Sequence, residues 1–536
     1  MDNIQNFRRT KYCGEFRSGD IGAEVSAAGW AARVRDLGGL IFIDLRDRSG
    51  ILQLTFGDDT ARDIYEKAAG VKSEFVLAVT GILRERSSKN PELPTGDVEL
   101  AVTELRIVGV SETPPFEITD DCKTAEQLRL KHRYLDLRRP VLQRNLLIRH
   151  KVALLTRRYF DKQGFIEIET PTLIRSTPEG ARDYLVPSRV HKGKFYALPQ
   201  SPQLYKQLSM AAGFDRYMQI ARCYRDEDLR ADRQPEFTQI DLEMSFAERE
   251  DVLAIVEGYI QLVFREILDL DIGVIPRISY SEALAKYGTD KPDLRYGLEI
   301  SPVNSEQITD NSQSAVYEFR CPALTRKQRD AISQLYKVRS RNEEELTVIY
   351  GTDLTELGRA RAEAAKTLNL IPANTFKPVW VLDFPFFDKD AESGEWVAMH
   401  HPFTAPLDES LQYLEADKSK VFAKAYDLVL NGIELSSGSI RITEPELQKR
   451  MFRLLGLTEE EAKEKFGFLL EAFRYGAPPH GGMGIGLDRL VMQLLECESL
   501  RDVVAFPKLQ NASEPMTDCP ADVDALQLKE LGIAAL

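Results

Sequence analysis

Gly482, Gly484 and Gly486 alternate with Met483 and Ile485, and the chain then runs without a break into Leu487, Asp488, Arg489 and Leu490. A period of two in which one position is always glycine describes a strand with one bare face. The change of pattern at Leu487 carries that strand directly into a helix. Two uses fit such a segment: the bare face admits a flat ligand, or it lets a neighbouring element pack close. Arg489, at the start of the helix, can lie over a flat ligand as a cationic lid.

The rest of the chain must supply the partners of that strand, and at 536 residues it is far longer than one core requires; about three or four domains are expected. Seventy Lys and Arg stand against 84 Asp and Glu, a net charge of −14. Any contact with nucleic acid must therefore rest on a local basic face, and a generic DNA-coating role is excluded. The cysteines Cys13, Cys122, Cys223, Cys321, Cys497 and Cys519 form no C-x-x-C pair, which points to a reducing compartment rather than a disulfide framework or zinc site. No signal-like start or membrane-length apolar run occurs, so a cytoplasmic protein is expected.

From Ala23 to Val110 the pattern has period two. It predicts strands over residues 24–34, 40–46 and 51–56, a helix over 60–69, and strands over 75–84 and 98–108. Five strands with a helix after the third fit an OB-type barrel, and a generic small β-barrel fits too. Pro114 and Pro115 end it. Next comes the most basic stretch, with Arg129, Lys131, His132, Arg133, Arg138, Arg139, Arg144, Arg149 and Lys151. It is either a solvated face or the surface along which a nucleic acid passes between domains. Helical spacing over residues 143–163 stops at Gly164 and leads to a strand over 165–169 and Pro171. A charge-rich region at 302–378, with amphipathic helices over 325–340 and 354–369, reads as an insertion, and strands return at 379–384 and 426–435.

There is no G-x-x-x-x-G-K-[ST] loop, and no G-x-G-x-x-G segment opens a helix, so a bound nucleotide needs another architecture. The segment from Arg222 to Asp228, with Arg225 and Glu227, leaves a strand for a polar loop that ends at Arg233, Gln234, Pro235 and Glu236. Arg225 there can hold an α-phosphate and Phe237 can stack a base; a charged surface hairpin reads equally well. Asn431–Gly432 is a strong two-residue turn signal that pairs Leu430 with Ile433 and Val429 with Glu434. Asp427 then lies diagonal to Glu434 on the same face, as a hard-oxygen site for Mg²⁺ or as two exposed edge acids. His400 and His401 point to opposite strand faces, so at least one can enter a pocket.

Taken together, these separated segments resemble the class II aminoacyl-tRNA synthetases, and among them the bacterial-type aspartyl-tRNA synthetases. GFIEIETPTL at 164–173 is similar to motif 1, the run from Phe214 to Phe246 to motif 2, and GAPPHGGMGIGLDRL at 476–490 to motif 3. The likeness extends to the strings that begin at Gly29 and Ser176. It implies an α+β protein: an OB-fold anticodon-binding domain (1–112), a basic hinge (113–142), a catalytic domain on an antiparallel sheet (143–297 and 381–536) and a shortened inserted α/β domain (298–380). It also implies a homodimer formed through motif 1. The implied reaction joins L-aspartate and ATP into aspartyl-adenylate and then charges tRNA(Asp), with no membrane or DNA partner.

By position, the resemblance gives Arg225, Glu227 and Arg489 catalytic roles. ATP would be bound by these three with Gln234, Phe237, Glu434 and Gly486, and adenine would lie between Phe237 and Arg489. Mg²⁺ would be held by Asp427 and Glu434. Aspartate would be read by Lys206 and Arg441, with Asp241 orienting Lys206, and with Glu179, Ser201, Gln203, Gln239, His400 and His401 around it. Asparagine would leave that cation pair unmatched, at a cost of roughly 2–5 kcal/mol. Phe42, Gln53, Arg35 and Asp36 would read the anticodon. Relatives that also charge tRNA(Asn) often carry His where Leu37 stands, which leans toward strict tRNA(Asp) use over the alternative, non-discriminating form. Ser436 and Ser437 replace glycines common in the family and are expected to narrow the pocket floor.

Overall fold

The N-terminal period-two stretch closes on itself. Strands Glu24–Asp36, Ile41–Asp47, Gly50–Phe56, Val98–Gly109 and Val76–Glu85 neighbour one another in that order in a closed barrel, with the helix Arg62–Ala69 following the third strand in the chain. Inward positions such as Ala27, Ile43, Leu45, Leu54, Leu77, Val79 and Leu100 form its buried core. The first strand runs two residues beyond expectation because Arg35 and Asp36 pair with Phe42 and Ile41. The computed structural model describes residues 1–177, 181–229, 232–303, 315–390 and 394–534. They divide into two units, Met1–Leu147 with Ser513–Ala521 and Ile148–Ala512 with Asp522–Leu536.

Part of the basic run is spent inside the protein, while Lys131, Arg144 and Lys151 stay exposed. Buried Asp136 takes ion pairs from Arg129, Arg133 and Arg139. Arg138 stacks on Trp30 and shares buried Glu74 with Arg46. A buried carboxylate needs several donors, and nearby arginines are the ones it takes.

The second unit is built on an eight-stranded sheet. Its order is Arg277–Ser279, Pro378–Leu382, Ala425–Leu430, Ile433–Ile440, His480–Gly486, Glu236–Ser245, Arg216–Tyr224 and Ile166–Glu167. The terminal pairs are parallel and all inner pairs antiparallel. One face is apolar: Ile240, Leu242, Met244, Met483, Ile485, Tyr426 and Leu428 share a core with Val152 and Phe160 of the helix Pro140–Lys162 and Val256 and Ile260 of the helix Arg249–Leu268. By the alternation of strands, the opposite face carries Gln239, Asp241, Glu243 and the bare positions Gly482, Gly484 and Gly486. The motif 1 strand is shorter than expected, only Ile166–Glu167, as the chain leaves the sheet toward Pro171.

The hairpin at Asn431–Gly432 has the expected pairs, Val429 with Glu434 and Leu430 with Ile433, and then a bulge: Leu428 faces Ser436, leaving Leu435 as an extra residue. A bulge reverses which residues share a face. Past Leu435 it is Ser437, Ser439 and Arg441 that join Asp427 and Glu434 on the polar side. Ser436 is turned instead toward Leu428 and Ile485, buried, so only Ser437 of the two serines stands beside Asp427.

Within the insertion, strands Ser301–Pro302, Tyr317–Pro322, Leu346–Gly351 and Arg339–Glu343 form a sheet. Helices Arg326–Tyr336 and Leu354–Thr367 contribute Ile332, Leu357, Ala360 and Ala364 to its core. The first of these helices ends sooner than its apolar spacing implies, because Lys337 turns left-handed and starts the strand Arg339–Glu343. Among the described residues no helix is long and apolar enough to cross a membrane.

Candidate active site

A cleft on the polar face of the sheet, about 670 Å³ with its open mouth, is lined by Arg225, Glu227, Gln234, Phe237, Gln239, Glu434, Ser437, Gly484, Gly486 and Arg489. All the residues expected around a nucleotide therefore line one cleft. The Arg225 guanidinium lies over the Phe237 ring at 5.1 Å, and its Nε is buried without a hydrogen-bond partner. An unpartnered buried guanidinium N–H is a place for an anionic oxygen. Glu227 is paired with Arg233 at 2.9 Å. Arg489 donates to the Glu434 carbonyl at 3.1 Å and lies 3.4 Å from Asp232, which ties the helix start to the Asn431–Gly432 hairpin. Gln234 departs from expectation: its amide exchanges two hydrogen bonds with the backbone of Lys508, so it fastens the C-terminal segment instead of offering that amide to a nucleotide.

The glycines divide between close packing and open space. A Cβ on Gly482 would lie 2.1 Å from Glu243 Oε2, and one on Gly484 2.0 Å from Gln239 Nε2. Two bare positions thus make room for the protein's own polar side chains, while at Gly486 a Cβ would meet nothing nearer than 3.6 Å.

Asp427 is buried, and burial followed by the charge of Glu434 pushes its carboxyl well above the usual range, against a hydrogen bond from Ser437. Its Oδ1 has no partner. Lys291 stands 3.2 Å from Glu434 Oε2. A buried carboxylate oxygen lacking a donor beside a second acid is the donor set that suits a hard divalent cation.

A second, buried polar cluster lies on the same face. Lys206 Nζ is 2.8 Å from Asp241 Oδ1 and 3.4 Å from Glu243 Oε2. Arg441 meets the same Glu243 through Nε at 2.9 Å and Nη2 at 3.2 Å, and donates to Ser439 Oγ at 2.6 Å. All four charged groups are buried. Burial pushes the Asp241 carboxyl up despite Lys206. The same burial at Glu243 is outweighed by Arg441 and Lys206, which hold it below the carboxylate range. Burial, with the charges of Arg441 and Lys206, pulls His401 down to about 3, and burial pulls His400 to about 4. Both rings are thus neutral near pH 7. His401 Nδ1 accepts from the Phe403 N–H, so Nε2 carries the proton; that Nε2 and His400 Nε2 are buried and unpartnered. Gln203 is buried with a free Nε2, and Ser201 Oγ accepts from the Gln203 N–H. Glu179 lies outside the described residues.

On the barrel, Arg35 lies over Phe42 at 5.5 Å and bonds Asp44 and Gln53. Gln53 Nε2 donates to Glu99, and Asp36 Oδ1 accepts from the Gly38 N–H. Arg35, Phe42 and Gln53 thus adjoin one another, whereas Asp36 sits at the turn.

Sequence reasoning missed Glu243, Glu99, Lys291 and Asp488. Glu243 was signalled by the alternation Gln239, Asp241, Glu243, which places all three on one strand face. Asp488 accepts from Arg149 and from the Thr238 N–H, locking the helix Leu487–Leu494 onto the strand Glu236–Ser245. Glu99 and Lys291 become visible only through long-range pairing.

Comparison with known proteins agrees with this geometry. A family model described as tRNA synthetases class II (D, K and N) matches residues 125–510, and one described as an OB-fold nucleic acid binding domain matches residues 25–108. The chain belongs to the class II tRNA synthetases of the D, K and N group. Within that family, the Aspartate–tRNA ligase of Ruminiclostridium cellulolyticum is 48% identical to it over 99% of both chains. The Aspartate–tRNA(Asp/Asn) ligase of Caldanaerobacter subterraneus subsp. tengcongensis is 49% identical over the same shares. The first of these alignments runs over 590 positions, more than the 536 residues here, so the relative carries segments this chain lacks. The fold is similar to that of asparaginyl-tRNA synthetase from Pyrococcus horikoshii complexed with asparaginyl-adenylate (TM-score 0.65, 20% identity, 93% of this chain and 98% of that one). It is equally similar to a putative aspartyl-tRNA synthetase from Leishmania major (TM-score 0.66, 19% identity, 95% and 96%).

Proposed function

We propose that the chain is an aspartate–tRNA ligase, which joins L-aspartate to ATP as aspartyl-adenylate with release of pyrophosphate and then transfers the aspartyl group to the 3′ end of tRNA(Asp). The convergence of Lys206 and Arg441 on one point of the polar face, beside the nucleotide cleft, carries this assignment. Lys206 donates one hydrogen bond, to Asp241, and stands as an ion pair 3.4 Å from Glu243, while Arg441 gives three of its five N–H groups to Glu243 and Ser439. The donors left over suit the side-chain carboxylate of aspartate, and an asparagine amide would leave them unmatched. His401 Nε2–H and Gln203 Nε2 add neutral donors near the same place.

In the first step the substrate α-carboxylate attacks the α-phosphorus of ATP in line. Arg225 neutralises charge on the α-phosphate, and Phe237 and Arg489 supply the two faces between which adenine stacks. Mg²⁺, held by Asp427 and Glu434, would supply charge neutralisation for the polyphosphate. In the second step a ribose hydroxyl at the tRNA 3′ end attacks the adenylate carbonyl and AMP departs. No covalent bond to the enzyme is needed, so the rate comes from positioning and electrostatics. Arg35, Phe42 and Gln53 would present a stacking and hydrogen-bonding face to anticodon bases. Exposed Leu154, Ile166 and Leu173 in and beside the motif 1 segment support a homodimer, and the setting is the cytoplasm, where tRNA is charged.

Amino-acid-dependent exchange of pyrophosphate into ATP tests the assignment: aspartate supports exchange, and exchange with asparagine or lysine but not aspartate overturns it. The name of the Caldanaerobacter relative favours a second reading, in which tRNA(Asn) is also aspartylated. Leu37, 70% exposed at the turn beside Arg35, leans toward the strict form, and charging both tRNA transcripts decides between them.

A further inference from the structure

Lys291 brings a cation to the carboxylate pair at the edge of the nucleotide cleft. Its Nζ lies 3.2 Å from Glu434 Oε2 and 3.0 Å from Asp290 Oδ2, while Asp427 Oδ1 close by has no donor. The backbone that carries Lys291 is fixed on both sides. On one side the helix Leu354–Thr367 of the insertion rests directly on Gly288: a Cβ there would come within 2.1 Å of the Leu354 carbonyl oxygen, and one on Gly358 within 2.5 Å of the Gly288 carbonyl oxygen. On the other side Arg361, from the same helix and only 1% exposed, spends its guanidinium on main-chain carbonyls: Asp293 at 2.9 Å, Tyr296 at 3.1 Å and Leu298 at 2.9 Å. It is stacked against Tyr287 and Tyr296. A buried guanidinium given to three carbonyls fixes the course of the backbone. The same segment touches the Asn431–Gly432 hairpin, since a Cβ on Gly432 would lie 3.3 Å from Asp293 Cβ.

We propose that Lys291 is a positioning residue of the nucleotide site, a built-in cation that pairs with Glu434 beside Asp427 and competes with the divalent ion, and that the inserted domain sets its place through Arg361. This rests on Asp427 and Glu434 being the cation site proposed above. The insertion then acts on activation chemistry as a buttress for one ammonium group. A half-exposed ammonium–carboxylate pair is worth up to about 1 kcal/mol, or roughly fivefold in affinity, so the competition is measurable.

Binding of Mn²⁺ to the full-length protein without ATP, read from the free-ion paramagnetic resonance signal, tests this. Lys291→Met should tighten Mn²⁺ about fivefold, Lys291→Arg should restore the parent affinity, and Arg361→Met should tighten it in the same direction because the lysine is no longer held. Damage to the fold would weaken binding, so the sign of the effect is informative. Asp427→Asn should abolish Mn²⁺ binding in each background. If Asp427→Asn abolishes it while Lys291→Met leaves the affinity unchanged or weaker, the role given to Lys291 is wrong; tightening by Lys291→Met but not by Arg361→Met overturns the role given to the insertion. If Asp427→Asn leaves Mn²⁺ binding intact, the cation site itself is misplaced.

Discussion

Replacing Glu243 by glutamine keeps the shape of the side chain and removes one charge, at a residue with no exposure that is shared by two buried cations. Arg441 loses the acceptor charge for contacts at 2.9 and 3.2 Å, Lys206 for one at 3.4 Å, and the new amide N–H faces cations. Breaking a buried pair by removing one partner costs about 3–5 kcal/mol, because the other charge stays buried. Here the remaining Asp241 compensates in part, so about 3 kcal/mol is expected. L-Aspartate should return the missing charge. Thermal unfolding followed by fluorescence, with and without saturating aspartate, should show a lowered midpoint for Glu243→Gln. The aspartate-induced rise should be larger in the variant than in the parent. An unchanged midpoint, or an equal rise in both proteins, would refute the idea that Glu243 is the counter-charge of the substrate pocket.

Arg225→Ala should lower kcat of pyrophosphate exchange by about 10²–10³, the loss expected for one donor aimed at developing charge, with KM for aspartate little changed, and Arg489→Ala should raise KM for ATP by roughly 2- to 30-fold, equivalent to a lost cation–π contact of about 0.5–2 kcal/mol. His401 titrates at about 3 in the folded chain and near 6.5 when unfolded, so below pH 6.5 the unfolded state takes up the extra proton and stability falls as pH drops toward 3. The slope this histidine contributes is up to about 1.4 kcal/mol per pH unit, and His401→Gln should flatten acid denaturation over that window. Phe42→Ala should raise KM for tRNA by about 5- to 150-fold, equivalent to about 1–3 kcal/mol of lost stacking, and leave tRNA-independent exchange unchanged.

The barrel and the Asn431–Gly432 hairpin were legible because their signals are local. Period two, glycine turns and the Asn431–Gly432 pair each fix structure within a few residues, and the pairing of Val429 with Glu434 followed directly. The bare face of the glycine strand was legible too, although what fills it was not, since Gln239 and Glu243 reach Gly484 and Gly482 from a strand some 240 positions away in the chain. The basic run was legible only in part, because sequence shows charges without partners, and Asp136 and Glu74 take up Arg129, Arg133, Arg138 and Arg139 only in three dimensions. Lys291 carries no local signal at all, because its meaning depends on a hairpin and an insertion that meet it from opposite sides.

The extra residue at Leu435 has a consequence for how this chain can change. Asp427 and Glu434 lie opposite it or before it, and Arg441 lies after it, so the two acids and the arginine are kept on one face by a single count along one strand. Substitutions between 436 and 441 alter one side chain each, but deleting Leu435, or adding one residue beside it, would turn Ser437, Ser439 and Arg441 to the helix-covered side at once. Length, more than identity, is the property of this segment that any lineage or library must conserve.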